Sequence, residues 1–395
     1  IGISQTNPKE KDSVKMYKDI ESYSKRSRFT KFLHKLIFEP TKKEYVNNSS
    51  VRKEVERNYA KYNGKIVRNI TVEVLDPFGF SVTDSTKKPR NFLERTGNQL
   101  HNNTSNWAIR NLLLFKKNKP LDTLLLKDSK RIIRSQKYVR RVEMDATFIS
   151  EKSDSIDIHI KVLDSWRTVP DFATSTNKST FKLNEYNFLG FGHQLKNSYQ
   201  KSLTNNDNAY SVDYIVPNIK NTYISTTLSY NIDLDGDYAK SFAVERPFIS
   251  SYIHWAGGIK VGQQFRSEIP IDTTYISDKQ NFKYNIQDYW LGKSYQIFKG
   301  DSENDRTTNF ITAARYYQTN YLEKASPLYD DKDFYSNEQL YLACFGIASR
   351  QFKQEKYIFN YGIIEDVPTG IVYGITTGYQ QKNDRNRFYV GGRFS

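Results

Sequence analysis

Hydrophobic positions recur with one period early in the chain and with another beyond it. Between Asp12 and Glu39 the apolar residues Met16, Ile20, Tyr23, Phe29, Phe32, Leu33, Leu36 and Ile37 fall at helical spacing. Lys25, Arg26, Arg28, Lys31 and Lys35 lie largely beside that stripe. The predicted basic helix suits packing on its own domain or lying on an anionic membrane surface. Thr41 to Tyr62 reads as a linker or a second helix. From Lys65 to Leu75 β-branched residues dominate, and Asp76-Pro77-Phe78-Gly79 closes the predicted strand. Ser81 to Arg90 is a polar loop. Thr104 or Ser105 is the candidate N-cap of a helix carrying Trp107, Ile109, Leu112, Leu113 and Phe115. Another helix is expected from Leu121 to about Gln136, with Leu124, Leu125, Ile132 and Ile133 inward. Two strands follow. In Tyr138 to Ile149 the residues Val142, Met144, Ala146 and Phe148 share a face. In Ser155 to Trp166, Ile156, Ile158, Ile160 and Val162 alternate with Asp157, His159 and Lys161. The predicted order is β-α-α-β-β.

Beyond residue 170 the period is two. Tyr210, Val212, Tyr214 and Val216 alternate with polar residues, as do Ile224, Thr226, Leu228, Tyr230 and Ile232. Ile253, Trp255, Gly257, Ile259 and Val261, and later Ile371, Tyr373, Ile375 and Tyr379, repeat the pattern. Each segment ends in a cluster of Asn, Asp, Gly, Pro or Lys. Alternation over about 10 residues matches a tilted strand crossing a bilayer. Strands satisfy their backbone in lipid only when closed into a barrel. Small and polar residues such as Gly258, Gly262, Gly374 and Gly378 suit a lumen face, and Tyr and Phe near strand ends suit an interfacial girdle. The rival is a soluble sandwich, which would show fewer Tyr and a more regular Val/Ile/Leu core.

Composition sharpens the division. Residues 1–170 carry 35 Lys and Arg against 20 Asp and Glu, whereas residues 171–395 carry 24 of each. The net charge of +15 therefore belongs to the first part. Tyr runs the other way, 6 of 29 before the boundary. The mean hydropathy of −0.71 and a longest apolar run of six, Leu340–Phe345, exclude a spanning helix, which needs about 20 apolar residues. An aromatic content of 14% excludes wholesale disorder. The single Cys344 excludes an internal disulfide framework and reads as a small packing residue in a strand.

Enzyme chemistry finds no foothold, so the chain is not expected to be an enzyme or to carry a cofactor or metal. Asp233-Leu234-Asp235-Gly236-Asp237 has the look of a calcium loop but lacks its terminal bidentate Glu, and reads as a polar hairpin turn. Asp157 and His159 share a strand face, where ion pairing across strands explains them better than catalysis. No nucleic-acid motif accompanies the basic residues, and anionic headgroups are another reason for them.

The stretches SKRIIRSQKYVRRVEMDATF (129–148) and SIDIHIKVLDSWRTVPDF (155–172), in this order before a Tyr-rich β region, resemble a POTRA domain. That is the periplasmic module ahead of the barrel in the BamA/TamA outer-membrane assembly superfamily. In the family a helix with Arg near its end leads into a strand, and a second strand ends in Asp-x-Trp and enters the barrel. The matching positions are Arg134, Asp164 and Trp166. Asn184-Glu185-Tyr186-Asn187-Phe188-Leu189-Gly190-Phe191-Gly192 looks like the family's entry to the first barrel strand. Glu245-Arg246-Pro247-Phe248 and Glu365-Asp366-Val367-Pro368-Thr369-Gly370 look like the superfamily in Bacteroidota-type sequences. The family's Val-Arg-Gly-Phe/Tyr lumen motif is absent, and Tyr389-Val390-Gly391-Gly392-Arg393 does not replace it. Family barrels have sixteen strands, whereas ten to eleven segments are read before Ser395, so a barrel lacking its end is expected.

The resemblance implies an α+β periplasmic POTRA-like domain followed by an all-β antiparallel transmembrane barrel. The expected divisions are a basic helical segment at 1–62, the POTRA-like domain at 63–170 and the barrel at 171–395. Ile1–Gln5 reads equally as the tail of an export signal or as an ordinary terminus. The implied function is insertion or translocation of extended client proteins at the outer membrane of a Gram-negative bacterium. Outer-membrane lipids, clients and accessory lipoproteins are the implied partners, with no nucleic acid. Alternatives are a two-partner-type secretion pore, a passive channel, or a soluble basic binding protein. Client capture is expected on Arg140, Arg141, Val142, Glu143 and Met144, in a strand at the sheet edge. The lateral gate is expected at Gly192, His193, Gln194, Leu195 and Lys196, in the first barrel strand.

Overall fold

The computed structural model describes residues 59–150, 153–269, 279–356 and 363–395, all within one unit, Asn58–Ser395. The basic helix expected at Asp12–Glu39 and the export-signal question at Ile1–Gln5 lie outside the described residues.

The first part is built from β1 (Ile66–Leu75), α1 (Phe92–Leu100), α2 (Asn106–Arg110), α3 (Thr123–Arg134), β2 (Val139–Phe148) and β3 (Ser155–Asp164). β3 is central, parallel to β1 and antiparallel to β2. Its alternation decides that place: Ile156, Ile158, Ile160 and Val162 are all at most 1% exposed. They join Val142, Met144 and Ala146 of β2 and Val67 and Val72 of β1 in one core. A register shift between Val67 and Asn69 explains why the β1 sequence does not alternate cleanly. α3 starts at the N-cap Asp122, whose side chain accepts from Leu124 N, and buries Leu126, Ile132 and Ile133. Leu124 and Leu125 are only half-buried.

The order is β-α-α-α-β-β, one helix more than expected. α1 is closed at its start by a reciprocal cap: Glu94 N donates to the Asn91 side chain, and Arg90 N to the Glu94 carboxylate. The helix expected through Phe115 ends at Arg110, although Leu112, Leu113 and Phe115 still reach the core from the following turn.

The second part is one antiparallel sheet of twelve strands in sequence order. These are β4 (Thr168–Thr174), β5 (Lys178–Phe188), β6 (His193–Ser202), β7 (Asn208–Val216), β8 (Ser225–Ile232) and β9 (Tyr238–Arg246). β10 (Trp255–Glu268), β11 (Gln280–Gln296), β12 (Thr308–Glu323), β13 (Glu338–Lys356), β14 (Ile364–Lys382) and β15 (Arg385–Phe394) continue it, with the short α4 (Glu303–Thr307) before β12. This is the wall of an up-and-down β-barrel, preceded by an α+β domain of POTRA-like topology. The expectation that the wall opens at Gly192 is corrected. β4 and β5 precede that point, because the segment after Trp166 forms a hairpin of its own. The boundary drawn at residue 170 falls inside β4.

Cross-strand registers order the outward face into rows. Tyr289, Tyr316, Tyr341, Tyr379 and Phe388 lie side by side. Six residues along, about 20 Å on a strand, lies a second row: Tyr295, Phe310, Ile347, Tyr373 and Phe394. The rows between hold Leu291, Ala314, Ala343, Thr377 and Val390, then Lys293, Thr312, Phe345, Ile375 and Gly392. Lys293 reaches over the Trp255 and Tyr295 rings, at 4.7 and 4.8 Å. Just outside the first aromatic row comes a row of Gln287, Gln318, Gln339, Gln381 and Asn386. Two aromatic girdles around an apolar band, with amides beyond, is the pattern of a lipid-facing strand surface. The other face carries Gly258, Gly262, Gly374 and Gly378, an Asp288–Arg315 ion pair, and Gln380 donating to Glu338. Asp233-Leu234-Asp235-Gly236-Asp237 is a hairpin turn in which Asp233 accepts from the Asp235 and Asp237 amides.

The two faces should respond oppositely to charge. Ile375→Arg, in the apolar band, is expected to destabilise the sheet in lipid by about 2–4 kcal/mol. Gln380→Arg, inward and beside Glu338, should leave it within about 0.5 kcal/mol. Urea unfolding from phospholipid vesicles measures both, and equal effects would contradict the assignment of faces.

Candidate functional site: the junction of the α+β domain and the barrel wall

β3 ends at Asp164, whose side chain has no exposed surface. A carboxylate so buried must be hydrogen-bonded. His101 Nε2 lies 3.0 Å away, and Thr104 donates to it through its amide at 2.9 Å and its hydroxyl at 2.9 Å. Thr104 Oγ1 in turn accepts from Asn187 Nδ2 at 2.6 Å, and Asn187 Oδ1 accepts from Gly192 N at 2.6 Å. A continuous chain of bonds thus runs from the end of β3 to the β5–β6 turn. Trp166 packs near Phe78 at 5.8 Å and donates to Thr168 O, fixing the entry into β4. Arg167 pairs with Glu185 of β5 at 3.0 Å and donates to Asn102 O. Burial lowers the Arg167 pKa, against Glu185 and Asp164, which raise it. Burial, with Asp164 adding to it, pushes the Tyr138 hydroxyl well above its ordinary range.

The β5–β6 turn is shaped for this contact. Leu189, Gly190 and Gly192 all have positive φ. Ser105 donates to Gly190 O through its amide and its hydroxyl. A Cβ on Gly190 would lie 2.5 Å from Asn103 O, so glycine is required for the approach as well as for its φ of +78°.

A second anchor lies across the domain. Arg134, in the last turn of α3, holds Asp366 of β14 bidentately at 2.7 and 2.5 Å, both side chains under 10% exposed. Here β13 and β14 run past the second aromatic row toward the domain. Arg131 lies over the Phe352 ring at 4.0 Å and donates to Ile249 O. Arg350 donates to Phe248 O, so the Glu245–Phe248 stretch meets the same cluster. Between these anchors, Asn218 and Asn221 of the β7–β8 turn donate to Asn111 O. Tyr223 donates to Leu113 O, and Arg306 of α4 pairs with Asp122 at 2.6 Å. The domain is fastened to one end of the wall, turn after turn.

The expected capture residues sit on β2, an edge strand of the three-stranded sheet. Val142 and Met144 point into the core, at 2% and 0% exposure, and the Met144 carbonyl accepts from the Tyr59 hydroxyl at 2.8 Å. Glu143 pairs with Lys130 of α3 at 2.9 Å, and Arg140 and Arg141 are half-buried. The expected gate residues are relocated. Gly192, His193, Gln194, Leu195 and Lys196 lead into or lie on β6, which has β5 on one side and β7 on the other. They form no seam; Gly192 belongs to the junction. Asp157 pairs with Arg68 of β1, as expected of an ion-paired strand face. That bond holds the Asp157 carboxyl below its ordinary range.

Arg134, Asp164, Asp366 and the Asn187–Gly192 turn are all visible in the sequence as motifs, and the structure brings them to one interface. His101, Thr104, Arg131 and Arg350 were not visible as partners. Asp122 had a signal, as the N-cap of α3.

An α+β domain locked to the end of a membrane-type antiparallel wall is the class of protein these observations define. No protein-family model and no curated protein matches the chain. Among the solved structures similar to it are two outer-membrane proteins. BamA of Haemophilus ducreyi lacking POTRA domains 1–3 shares 12% identity over 80% of this chain and 72% of its own, with a TM-score of 0.35. CdiB of Acinetobacter baumannii shares 12% over 82% of this chain, with a TM-score of 0.36, and the chain spans 53% of its length.

Removing one partner of the Arg134–Asp366 pair strands a buried charge. Arg134→Met is expected to cost about 3–5 kcal/mol of docking, and Arg134→Met with Asp366→Leu to recover most of it. Hydrogen exchange of residues 123–149 reports it; no recovery in the double variant would show that the pair itself contributes net stability.

Proposed function

We propose that the chain is an outer-membrane protein of the BamA/TamA type, which assists insertion or translocation of extended client proteins. The observation that carries this reading is the junction: a domain with an edge strand is fixed to one end of a lipid-facing wall. The α+β domain then faces the periplasm and the aromatic girdles mark the bilayer. The work is physical and breaks no covalent bond. An extended client adds as a strand to β2, whose one ladder neighbour among the described residues is β3. Backbone pairing accepts many sequences, while Arg140, Arg141 and Glu143 flank the client. The gate role moves to β4, which has β5 as its one ladder neighbour among the described residues and exposes Val169 and Phe172. Clients and outer-membrane lipids are the partners, with accessory lipoproteins docking on the periplasmic part.

A second reading, a two-partner-type secretion pore, is favoured by the inward face, where glycines and the Asp288–Arg315 pair suit an aqueous path. The soluble alternative would leave the apolar rows of the outward face in water.

A photoreactive residue placed at the exposed Thr147 of β2 or Asp171 of β4 tests the proposal. Crosslinks from both positions to an unfolded barrel client, followed by its insertion into vesicles, are expected. Steady conductance with client passage but no insertion would favour the pore. Absence of crosslinks from a folded, membrane-inserted chain would overturn both capture sites.

A further inference from the structure

We propose that a cavity beside α2 binds the phosphate of an anionic membrane lipid, and that this lipid holds the α+β domain against the bilayer surface. The inference rests on the membrane reading above. The cavity, of about 320 Å³, is lined by Arg110, Lys116, Lys117, Asn69 and Asn221 over a floor that includes Phe115. Arg110, Lys116 and Lys117 are exposed, and none has an acidic partner among the described residues. Arg110 is held in place by donating to Ile70 O at 2.9 Å, which leaves most of its N–H groups for a ligand. Three cations converging on one cavity, without a carboxylate among its lining residues, favour a compact anion.

Its position identifies the anion's source. Asn221 belongs to the β7–β8 turn and donates to Asn111 O and Leu113 O, so the cavity lies at the level where the wall ends and the domain begins. One helical turn before Arg110, Trp107 is 44% exposed and packs tilted against Phe191, itself 43% exposed, at 5.8 Å. Phe191 continues through His193 at 6.0 Å to Tyr214 at 5.7 Å, on the outward side of the wall. The outward aromatic surface therefore passes onto the α+β domain. Exposed rings mark the headgroup level of a bilayer, and cations beside them meet anionic headgroups. A free anion in solution would have no use for the rings.

The test uses the full chain in phosphatidylcholine vesicles containing a small fraction of fluorescent phosphatidylglycerol. Lys116→Ser with Lys117→Ser changes two exposed side chains and leaves the core untouched. Retention of phosphatidylglycerol by the chain should fall roughly tenfold or more. Lys87→Ser with Lys88→Ser, in an exposed loop, should change it little. Equal losses in the two pairs, or no loss in either while both still float with the vesicles, would overturn the site and leave the membrane reading standing. A wild-type chain that does not float with these vesicles would overturn the membrane reading and the site with it. Release of the lipid by millimolar inorganic phosphate would reassign the cavity to a free anion and overturn the lipid source.

Discussion

The buried carboxylate of Asp164 sets the constraint on which the arrangement depends. It cannot sit at the end of β3 without donors, and the donors come from the 101–104 segment. Thr104 passes the bonding on to Asn187 and so to the β5–β6 turn. Satisfying one charge therefore orients the domain against the wall, and Trp166 and Arg167 direct the chain into β4 from there. Arg134 and Asp366 impose a second fixed point some distance away across α3. Two polar anchors resist rotation of the domain in a way that an apolar contact of equal area would not, because hydrogen-bond geometry is directional.

Such a junction has a mechanical sense. On the proposed reading, a capture strand on a freely swinging module would deliver its client in any direction. Fastened at Asp164 and Arg134, β2 keeps one orientation to the end of the wall.

Much of this was legible in the chain. Period-two alternation places β2, β3 and four of the later strands, β7, β8, β10 and β14, since one side of each faces an apolar medium. The motif residues Arg134, Asp164, Asn187 and Asp366 were visible as isolated signals, but their pairing was not, because it joins positions up to 232 residues apart. α1 is hard to read although Asn91 and Glu94 offer a capping signal: it is nine residues long, and the stripe of Phe92, Leu93 and Leu100 is interrupted by Thr96 and Gly97. The start of the wall is not legible because β4 and β5 are polar and short of aliphatics, so the Gly190–Gly192 turn reads as its beginning rather than as its first domain-side turn. The aromatic rows could not be read without the registers that align Tyr289, Tyr316, Tyr341 and Tyr379.

The central claim is that one face of the twelve-strand sheet meets lipid while the α+β domain stays in water. Spin labels placed singly from Ile371 to Tyr379 on β14, in the full chain reconstituted in vesicles, measure this most directly. Accessibility to oxygen should peak at 371, 373, 375, 377 and 379 and fall at the positions between, with labels on the exposed residues of α1 accessible only to a water-soluble nickel complex. Uniform nickel accessibility along β14 would contradict the account.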